Sequence, residues 1–194
     1  MGKCVNVLNN ANADSGNRAL MARLLVHFVG DIHQPLHATS MFTDTFPGGD
    51  AGGNSIKLSP PAPVGSYTSA NLHSYWDSGT AASGLEEIKS GDLEAVRLMA
   101  ELLLDDEAAE IAATPLSSAS DFTEALKEWA QESFLFAANS TYAPALLDSL
   151  GSGKTVDTSA AWWTQYGADN SLLVRSRLKL GGARLAQVLN SIYG

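Results

Sequence analysis

The sequence is poor in cysteine, in positive charge and in long apolar runs, and each shortage excludes a class of protein. A single cysteine, Cys4, excludes an internal disulfide framework. The 12 Lys and Arg against 21 Asp and Glu give a net charge of −9, which excludes a broad basic face for gripping nucleic acid. Nucleic acid as a substrate stays possible. No apolar run reaches the roughly 18 residues of a membrane-spanning helix, and the first ten residues lack the apolar stretch of a signal peptide.

The 194 residues are enough for a substantial hydrophobic core, and the apolar spacing predicts an all-α, mainly helical chain. The first predicted helix runs from Asn17 to about Ile32, is capped by Ser15 or Asn17, and stops before Pro35. Further helices are predicted over 71–78, 93–111, 121–139 and 160–193, the last broken into two near 167–170. Residues 43–70 are rich in Gly, Pro and Ser and predict a long loop with a short strand over 55–58.

Two further expectations concern the last predicted helix. Its buried face is expected to consist of four apolar residues at helical spacing: Leu178, Leu185, Leu189 and Ile192. Gly181 and Gly182 lie inside this helix, where each glycine costs about 1 kcal/mol relative to alanine. A close helix crossing is the expected reason for the pair.

The histidines are the strongest local signal in the chain. All four fall within a stretch of 47 residues: His27, His33, His37 and His73. Two of them stand four residues before an aspartate, in the pairs His27/Asp31 and His73/Asp77. Residues at that spacing share one face of a helix, with Cβ atoms about 5–6 Å apart, close enough to bind one metal ion. Histidine together with carboxylate is the ligand set that zinc prefers in hydrolytic sites.

Three of these residues, His37, His73 and Asp77, would leave coordination positions open for water or substrate. That is typical of a catalytic zinc rather than a closed structural one. A single His/Asp pair is usually a surface hydrogen bond or a cap, but two pairs and a further histidine weaken that interpretation. His33 lies off the face of the first pair, and we expect it to be structural or to support the ligands from outside.

Three other features have plainer interpretations. Trp76 is expected in the core rather than on a platform for stacking bases. The Trp162 and Trp163 pair is expected at a buried helix start, although tryptophans can stack on bases. The acidic run over residues 105–107 is expected to be a solvated helix end and not a metal site.

Three motifs together resemble one family: HFVGDIHQPLH at 27–37, GGN at 52–54 and LHSYWD at 72–77. They resemble the class I nucleases, or nuclease S/P family, which are trinuclear-zinc enzymes that cut single-stranded nucleic acid and act as 3′-nucleotidases. Zinc-dependent phospholipases C share their helical fold. The segments WAQESF at 129–134 and GGARLAQVLN at 181–190 are also similar. The resemblance covers nearly the whole chain and implies the phospholipase C and class I nuclease-like fold with a long Gly/Pro-rich loop.

The resemblance implies metal binding by five residues. His27 would bind the first zinc, and Asp31 would bridge this zinc and its close neighbour, which makes Asp31 the catalytic residue of the set. His37, His73 and Asp77 would hold the remaining zinc. One of the three zinc sites of the intact enzyme is therefore expected to have its full ligand set here.

The resemblance also has departures, all before the first motif. In the family, an N-terminal tryptophan, two histidines and an aspartate complete the paired zincs, and an arginine binds the phosphate. Only 26 residues precede His27 here, with no histidine and with Asp14 as the one carboxylate. We therefore expect residues 1–194 to form a single zinc nuclease domain that is incomplete at its N-terminus, with a paired site that binds metal poorly. Cys4 resembles a cysteine that has a partner in relatives but none here.

The implied activity is hydrolysis of phosphodiester bonds in single-stranded DNA or RNA, as an endonuclease and as a 3′-nucleotidase, giving 5′-phosphate products. Asn54 of the GGN motif is the implied substrate-binding residue. Zinc would supply positive charge at the phosphate, so no basic surface is needed. Two alternatives stay open: a zinc-dependent phospholipase C, and a truncated remnant that binds one zinc and catalyses nothing.

The expected setting follows from the resemblance. Single-stranded nucleic acid and 3′-nucleotides are the expected substrates, and we expect a monomer with no membrane span. The expected location is secreted, or within a secretory or lysosome-like compartment. Asn139 begins an Asn-Ser-Thr pattern and is the expected glycosylation site.

Overall fold

The computed structural model describes residues 1–80, 92–105 and 122–194, and most of these are helical, which confirms the predicted fold class. The helices in these ranges are α1 (Gly2–Asn9), α2 (Ser15–Asp31), α3 (Leu72–Asp77), α4 (Leu93–Asp105), α5 (Phe122–Phe136), α6 (Pro144–Leu150) and α7 (Ala161–Tyr193). The strands are β1 (Lys57–Val64), β2 (Tyr67–Asn71) and β3 (Thr155–Asp157), with a 3-10 turn at Pro35–Ala38 and a π-helical turn at Ala137–Thr141. Among the described residues, we find no helix with the length and apolarity to cross a membrane.

Helix α2 matches the first predicted helix, but a different residue caps it. The side chain of Asp14 accepts the backbone N–H of Asn17 at 2.9 Å, so the cap is Asp14 and neither Ser15 nor Asn17. This arrangement satisfies one of the free N–H groups of the first turn. This hydrogen bond, together with one from the Asn17 side chain, lowers the pKa of Asp14.

The segment predicted as a long loop contains a hairpin and is more regular than expected. Strand β1 begins two residues later than predicted and continues to Val64, pairing antiparallel with β2 and parallel with β3 in the order β2-β1-β3. The register between β1 and β2 shifts between Lys57 and Ala62, and Pro60 and Pro61 fall in that interval. Because proline has no N–H for a ladder, these residues hid the strand from the sequence pattern.

Helix α7 is one continuous helix of 33 residues, and the predicted break near 167–170 is wrong. A Cβ at Gly167 would lie 2.8 Å from the Tyr75 hydroxyl oxygen, so glycine is needed for packing. Asn170 is buried, and its side chain donates to the Tyr166 carbonyl one turn earlier. Residue types that usually end a helix therefore serve contacts made within one.

The glycine pair further along α7 has the predicted close contact at one member only. A Cβ at Gly181 would lie 3.3 Å from His33 Cγ, whereas a Cβ at Gly182 would meet nothing within 4 Å. The predicted buried face also needs a correction, because Leu178 is 49% exposed. The other three residues of that face pack against buried side chains.

Two clusters of buried side chains share α7. The first surrounds the sheet, α3, α6 and the first half of α7, and it includes Trp76 and Trp163. The second joins α1, α2, α5 and the end of α7 around the fully buried Trp129. The core position expected for Trp76 and the buried helix start expected at Trp163 are both confirmed. Helix α2 belongs to the second cluster and α3 to the first, and His37 of the 3-10 turn contacts a residue of each helix.

A few predictions fall at or beyond the edges of the described ranges. Helix α5 ends at Phe136 and continues as the π-helical turn, three residues short of the predicted end. The continuation of α4 to residue 111, most of the acidic run and the predicted first residue of α5 lie outside the described residues.

Candidate metal centre

Three elements carry the candidate ligands. Helix α2 carries the His27/Asp31 pair near its end, the 3-10 turn carries His37, and α3 carries the His73/Asp77 pair. The side chain of Gln34 caps the 3-10 turn by accepting a backbone N–H, and a proline begins that turn. The chain therefore reverses directly after α2 and brings His37 back toward the end of that helix.

His37, His73 and Asp77 form a compact group, with one ligand atom of each residue within 4.8 Å of the other two. His37 Nε2 lies 3.1 Å from Asp77 Oδ1, and His73 Nε2 lies 3.3 Å from Asp77 Oδ2. The two imidazole rings are stacked, with 4.8 Å between their centroids. Tetrahedral zinc with bonds of about 2.1 Å needs ligand atoms about 3.4 Å apart. The donor types and their spacing fit that ion.

Hydrogen bonds from outside this group orient two of its members. Gln34 Nε2 donates to Asp77 Oδ1 at 2.8 Å. His73 Nδ1 lies 2.7 Å from the carbonyl oxygen of Gly52. Because a carbonyl only accepts, we assign a proton to Nδ1, and Nε2 is the nitrogen that faces Asp77.

Charge within the group shifts two pKa values in opposite directions. The hydrogen bond to Asp77 raises the pKa of His37, against the effect of burial. Burial acts to raise the pKa of Asp77, but hydrogen bonds from His37 and Gln34 outweigh it, and the net effect is a lowered pKa. The group thus stabilises positive charge beside the Asp77 carboxylate, and a bound cation would compete with the proton on His37.

The His27/Asp31 pair is a more exposed neighbour of this group. His27 Nε2 lies 3.2 Å from Asp31 Oδ2, and the His27 side chain is 64% exposed. Asp31 Oδ2 is also 3.6 Å from His37 Nδ1. Asp31 is therefore the residue that connects the two halves of the predicted site.

His33 is buried beneath the site, and both of its ring nitrogens are engaged. Nδ1 lies 2.7 Å from the Val29 carbonyl oxygen, and Nε2 lies 3.0 Å from Arg184 Nη1. A carbonyl requires a donor and a guanidinium requires an acceptor, so the ring is neutral and neither nitrogen is free for a metal. Burial lowers the pKa of His33 to about 4, which agrees with this neutral form.

Sequence reasoning missed a charged network that joins α5 to α7 below the end of α2. Glu132 accepts from Arg177 at 2.9 Å and from Arg184 at 2.6 Å. Arg177 also donates to the His33 carbonyl and to the Ser133 hydroxyl. Burial disfavours the charged form of Glu132, but hydrogen bonds from both arginines outweigh this and lower its pKa. The seven-residue spacing of the arginines, two turns of one helix face, was the available signal.

A cavity of about 610 Å³ opens beside the candidate ligands, within the size range of small-molecule sites. One part of its lining is polar and includes four of the candidate ligands: His27, Asp31, His37 and Asp77. Another part is apolar and comes partly from α7, with Val174, Leu178 and Leu185. The exposed Leu178 therefore faces this cavity and not the core.

Two other predicted site residues lie apart from this cavity. Asn54 is exposed, and its side chain donates to the Ala51 carbonyl at 2.9 Å. It follows directly on the two glycines whose backbone contacts His73. Asn139 is exposed in the π-helical turn after α5.

Asp50 is a buried carboxylate that sequence reasoning also missed. Its side chain accepts five hydrogen bonds, all from the loop and from the π-turn region: Ser40 Oγ and the N–H groups of Met41 and Gly52 to Oδ1, and the Gly53 N–H and Tyr142 hydroxyl to Oδ2. The hydrogen-bonding capacity of this buried carboxyl group is therefore satisfied within the chain. Its place directly before a glycine turn was the available signal, since Asp commonly binds backbone N–H groups in turns.

Comparison with known proteins agrees with these observations. A family model described as S1/P1 Nuclease matches residues 1–194. Two similar relatives come from Arabidopsis thaliana: Endonuclease 2, 28% identical over 171 residues, and Endonuclease 1, 27% identical over 169 residues. Each match covers 87% of this chain but only 50% and 48% of those proteins, so the chain spans about half the length of the curated relatives it matches. Because the family model matches the whole chain, the resemblance drawn from the motifs is confirmed, and the protein belongs to the S1/P1 nuclease family.

Proposed function

We propose that this chain belongs to a zinc-dependent hydrolase that cuts phosphodiester bonds in single-stranded DNA or RNA and also acts on 3′-nucleotides. The observation that carries the proposal is the group of His37, His73 and Asp77, whose ligand atoms lie within 4.8 Å of one another. Membership of a metal-dependent nuclease family supports it. The printed names of the two plant relatives, both endonucleases, support it further.

In this proposal, His37, His73 and Asp77 hold one zinc ion, while His27 and Asp31 supply ligands to a neighbouring pair of ions, with Asp31 bridging. When bound, zinc supplies a Lewis acid for phosphate oxygens and activates water for attack. Residues of this chain also contact the proposed ligands from outside the metal site: Gln34 contacts Asp77, and the Gly52 carbonyl contacts His73. Hydrogen bonds to the ligand side chains fix their orientation, as in many metal sites.

The proposed reaction adds water to phosphorus and breaks the bond between phosphorus and the 3′ oxygen. The oxygen leaves with a proton as a 3′-hydroxyl, and the product carries a 5′-phosphate. A cavity of about 610 Å³ with an apolar part suits an unpaired base and its phosphate better than a stiff duplex. This difference supports the proposed preference for single strands.

We extend the proposal to the domain, to substrate binding and to the setting of the protein. Residues 1–194 act as a single zinc nuclease domain, which is supported by the two buried clusters sharing α7. Asn54 contacts substrate, supported by its exposure beside the glycines that contact His73. The protein acts as a monomer, and it is located in a secretory compartment or outside the cell. There Asn139, which is exposed within its Asn-Ser-Thr pattern, carries a glycan.

The experiment that tests the proposal measures bound zinc and three hydrolytic activities on one preparation. The substrates are a single-stranded oligonucleotide, a 3′-nucleotide and phosphatidylcholine vesicles. We expect 5′-phosphate products from the first and release of inorganic phosphate from the second, with both activities lost on chelation and restored by zinc. His73→Ala is the test variant, and Glu124→Gln, at an exposed ion pair with Lys127, is the matched control.

Each other outcome has a definite meaning. Hydrolysis of phosphatidylcholine in place of nucleic acid would identify a phospholipase C. Zinc bound at one ion per chain without any hydrolysis would identify a non-catalytic zinc-binding protein. Full activity after complete removal of zinc would contradict the proposal.

A further inference from the structure

The peptide group between Gly52 and Gly53 connects a buried carboxylate to a candidate metal ligand. Its N–H, that of Gly53, donates to Asp50 Oδ2 at 3.0 Å. Its carbonyl, that of Gly52, accepts from His73 Nδ1 at 2.7 Å. The two ends of one amide therefore link a carboxylate to an imidazole, and the other imidazole nitrogen faces Asp77 in the candidate metal centre.

We propose that Asp50 is a positioning residue that acts through this peptide to hold the Nδ1 proton of His73 and to strengthen Nε2 as a metal ligand. The proposal rests on the proposed zinc site. Metal-bound histidines commonly donate their second ring N–H to a carboxylate or a backbone carbonyl, which fixes the tautomer and raises ligand basicity. Here both partners occur in series, and hydrogen bonds in series polarise one another.

The backbone of the loop permits this linkage because its residues are glycines. Gly52 and Gly53 have φ values of +61° and +84°, in the left-handed region that disfavours other residues. A Cβ at Gly52 would also lie 2.5 Å from the Leu36 carbonyl oxygen. The loop is thus held close to the turn that carries His37, which fixes the position of the amide.

The remaining contacts of Asp50 keep its carboxylate in place and acting as an acceptor. The Tyr142 hydroxyl donates to Oδ2 at 2.7 Å, and Ser40 donates to Oδ1 at 3.2 Å. Burial raises the pKa of Tyr142, and the neighbouring Asp50 raises it further, so the hydroxyl keeps its proton. Asp50 itself is 0% exposed, so water does not compete for its oxygens.

A comparison of His73 with His37 supports a specific role for Asp50. His37 has a carboxylate oxygen of Asp31 directly opposite its second nitrogen, at 3.6 Å. His73 has a peptide carbonyl there, with the carboxylate one amide further away. Both nitrogens that face away from Asp77 therefore end on a carboxylate, one directly and one through the Gly52–Gly53 amide.

The test variant is Asp50→Asn. Its carboxamide oxygen at the Oδ1 position keeps three of the five hydrogen bonds, while its NH₂ group faces the Gly53 N–H, donor against donor. The matched control is Ser40→Ala, which removes one hydrogen bond to Asp50 but leaves the amide linkage intact. Both variants are checked for folding by circular dichroism and thermal unfolding before any comparison.

Two readouts are measured on the full chain. The first is zinc affinity by competition with a chromophoric chelator, and we expect a loss of about 10- to 100-fold in Asp50→Asn, as for other outer-shell partners. The second needs no metal: ¹⁵N NMR over a pH series reports which nitrogen of His73 carries the proton in the neutral ring. We expect the Nδ1-protonated tautomer in the wild type and in Ser40→Ala, and a mixture in Asp50→Asn.

The outcomes separate this proposal from the proposed function. Unchanged zinc affinity and unchanged tautomer in folded Asp50→Asn would overturn it, since a merely structural role lowers stability and moves neither readout. Failure of the wild type to bind zinc would overturn the proposed function, while the tautomer would still decide the linkage. If Asp50→Asn does not fold, an Nε2-protonated His73 in the wild type overturns the proposal, and a slowly exchanging Nδ1 proton supports it.

Discussion

The His27/Asp31 and His73/Asp77 pairs have the same four-residue spacing but differ in how the histidine is held. The ring of His73 is fixed from behind by the Gly52 carbonyl, and its side chain is 19% exposed. The ring of His27 contacts Asp31 and the neighbouring Phe28, and its side chain is 64% exposed. The same spacing therefore gives one histidine held by a backbone carbonyl and one exposed histidine, and the difference arises from a segment remote in sequence.

The segments that carry the two pairs are also held by different contacts. The His73/Asp77 pair stands on a short helix tied to the sheet and to the glycine loop. The His27/Asp31 pair stands at the end of a long helix whose following residues are held by Ser133 and Arg177. The contacts around His73 orient its ring, while those of Ser133 and Arg177 hold the backbone after α2. We therefore expect changes at the His73/Asp77 pair to lower metal affinity, and changes in the contacts below α2 to lower folding stability.

The largest expected effect is the loss of zinc affinity in His73→Ala. A four-ligand structural zinc site yields roughly 10–16 kcal/mol, so one ligand accounts for roughly 2.5–4 kcal/mol, or about 70- to 900-fold in affinity. His27→Ala should lower the affinity of the tightest site by less than about 10-fold, because its ring is outside the three-ligand group. Chelator competition measures both values. Equal losses in the two variants would contradict the proposed difference between the two pairs.

The next effect is on folding stability, in Glu132→Gln. This change leaves Arg177 and Arg184, whose side chains are 5% and 10% exposed, without their carboxylate. Breaking a buried ion pair on one side costs about 3 kcal/mol, and the partial exposure of Glu132 keeps the expected loss near that figure. Urea unfolding measures it, with the exposed Glu124→Gln as control at under about 0.5 kcal/mol. A loss no larger than that of the control would show that this network does not anchor α2.

These two effects illustrate how far the sequence alone can predict such a site. The spacing of His27, His73 and their aspartates is local, so helix geometry alone predicts which faces they share. The approach of His37 to the end of α2 was also predictable, because His37 follows a proline break that turns the chain back. The contacts of Asp50 and Glu132 were not, since Asp50 contacts Tyr142, 92 positions away, and Glu132 contacts arginines 45 and 52 positions away.

The fold shows the same division between local and tertiary causes. The helical periods are local and predicted most helices correctly. The break expected in α7 was wrong. Gly167 leaves room for the Tyr75 hydroxyl, and Asn170 donates to a carbonyl one turn earlier, and a sequence pattern contains neither contact. The predicted strand was shorter than β1 because proline usually argues against a strand, and the register shift in β1 accommodates its prolines.

A third effect is a pH dependence that arises beneath the His27/Asp31 pair. Burial lowers the pKa of His33 to about 4 in the folded protein, below its ordinary value of 6.5, with Arg177, Arg184 and Glu132 as its charged neighbours. The folded state therefore excludes a proton that the unfolded chain binds. The stability is fully present above the unfolded pKa and is lost as the pH falls toward the folded one.

The expected loss through His33 is about 2 kcal/mol between about pH 7 and about pH 5. Urea unfolding at a series of pH values measures it in the wild type and in His33→Gln. Other titrating groups cancel in the difference between the two proteins. A wild-type profile parallel to that of the variant would contradict the neutral, buried state of this ring.

The last expected effect comes from the adjacent glycines of α7, which test how closely this helix packs against His33 at the end of α2. Gly182→Ala should stabilise the protein by about 0.5–1 kcal/mol through helix propensity, because the added Cβ meets nothing within 4 Å. Gly181→Ala should lose this gain and cost about 1 kcal/mol, because its Cβ would press on the His33 ring at 3.3 Å. Thermal unfolding of both variants decides this. Equal shifts would mean that α7 does not contact the end of α2 closely.

The uninterrupted α7 has a consequence for how the molecule comes apart. Its 33 residues extend about 50 Å, and its two halves belong to different buried clusters. Neither cluster can separate without exposing part of a helix that the other also needs. Amide protons in the middle of α7 should therefore exchange with solvent only when the whole chain unfolds, and the slowest exchange rates in the protein should be found there. A metal ion bound between the clusters would slow that exchange along the entire helix, far beyond the residues that touch it.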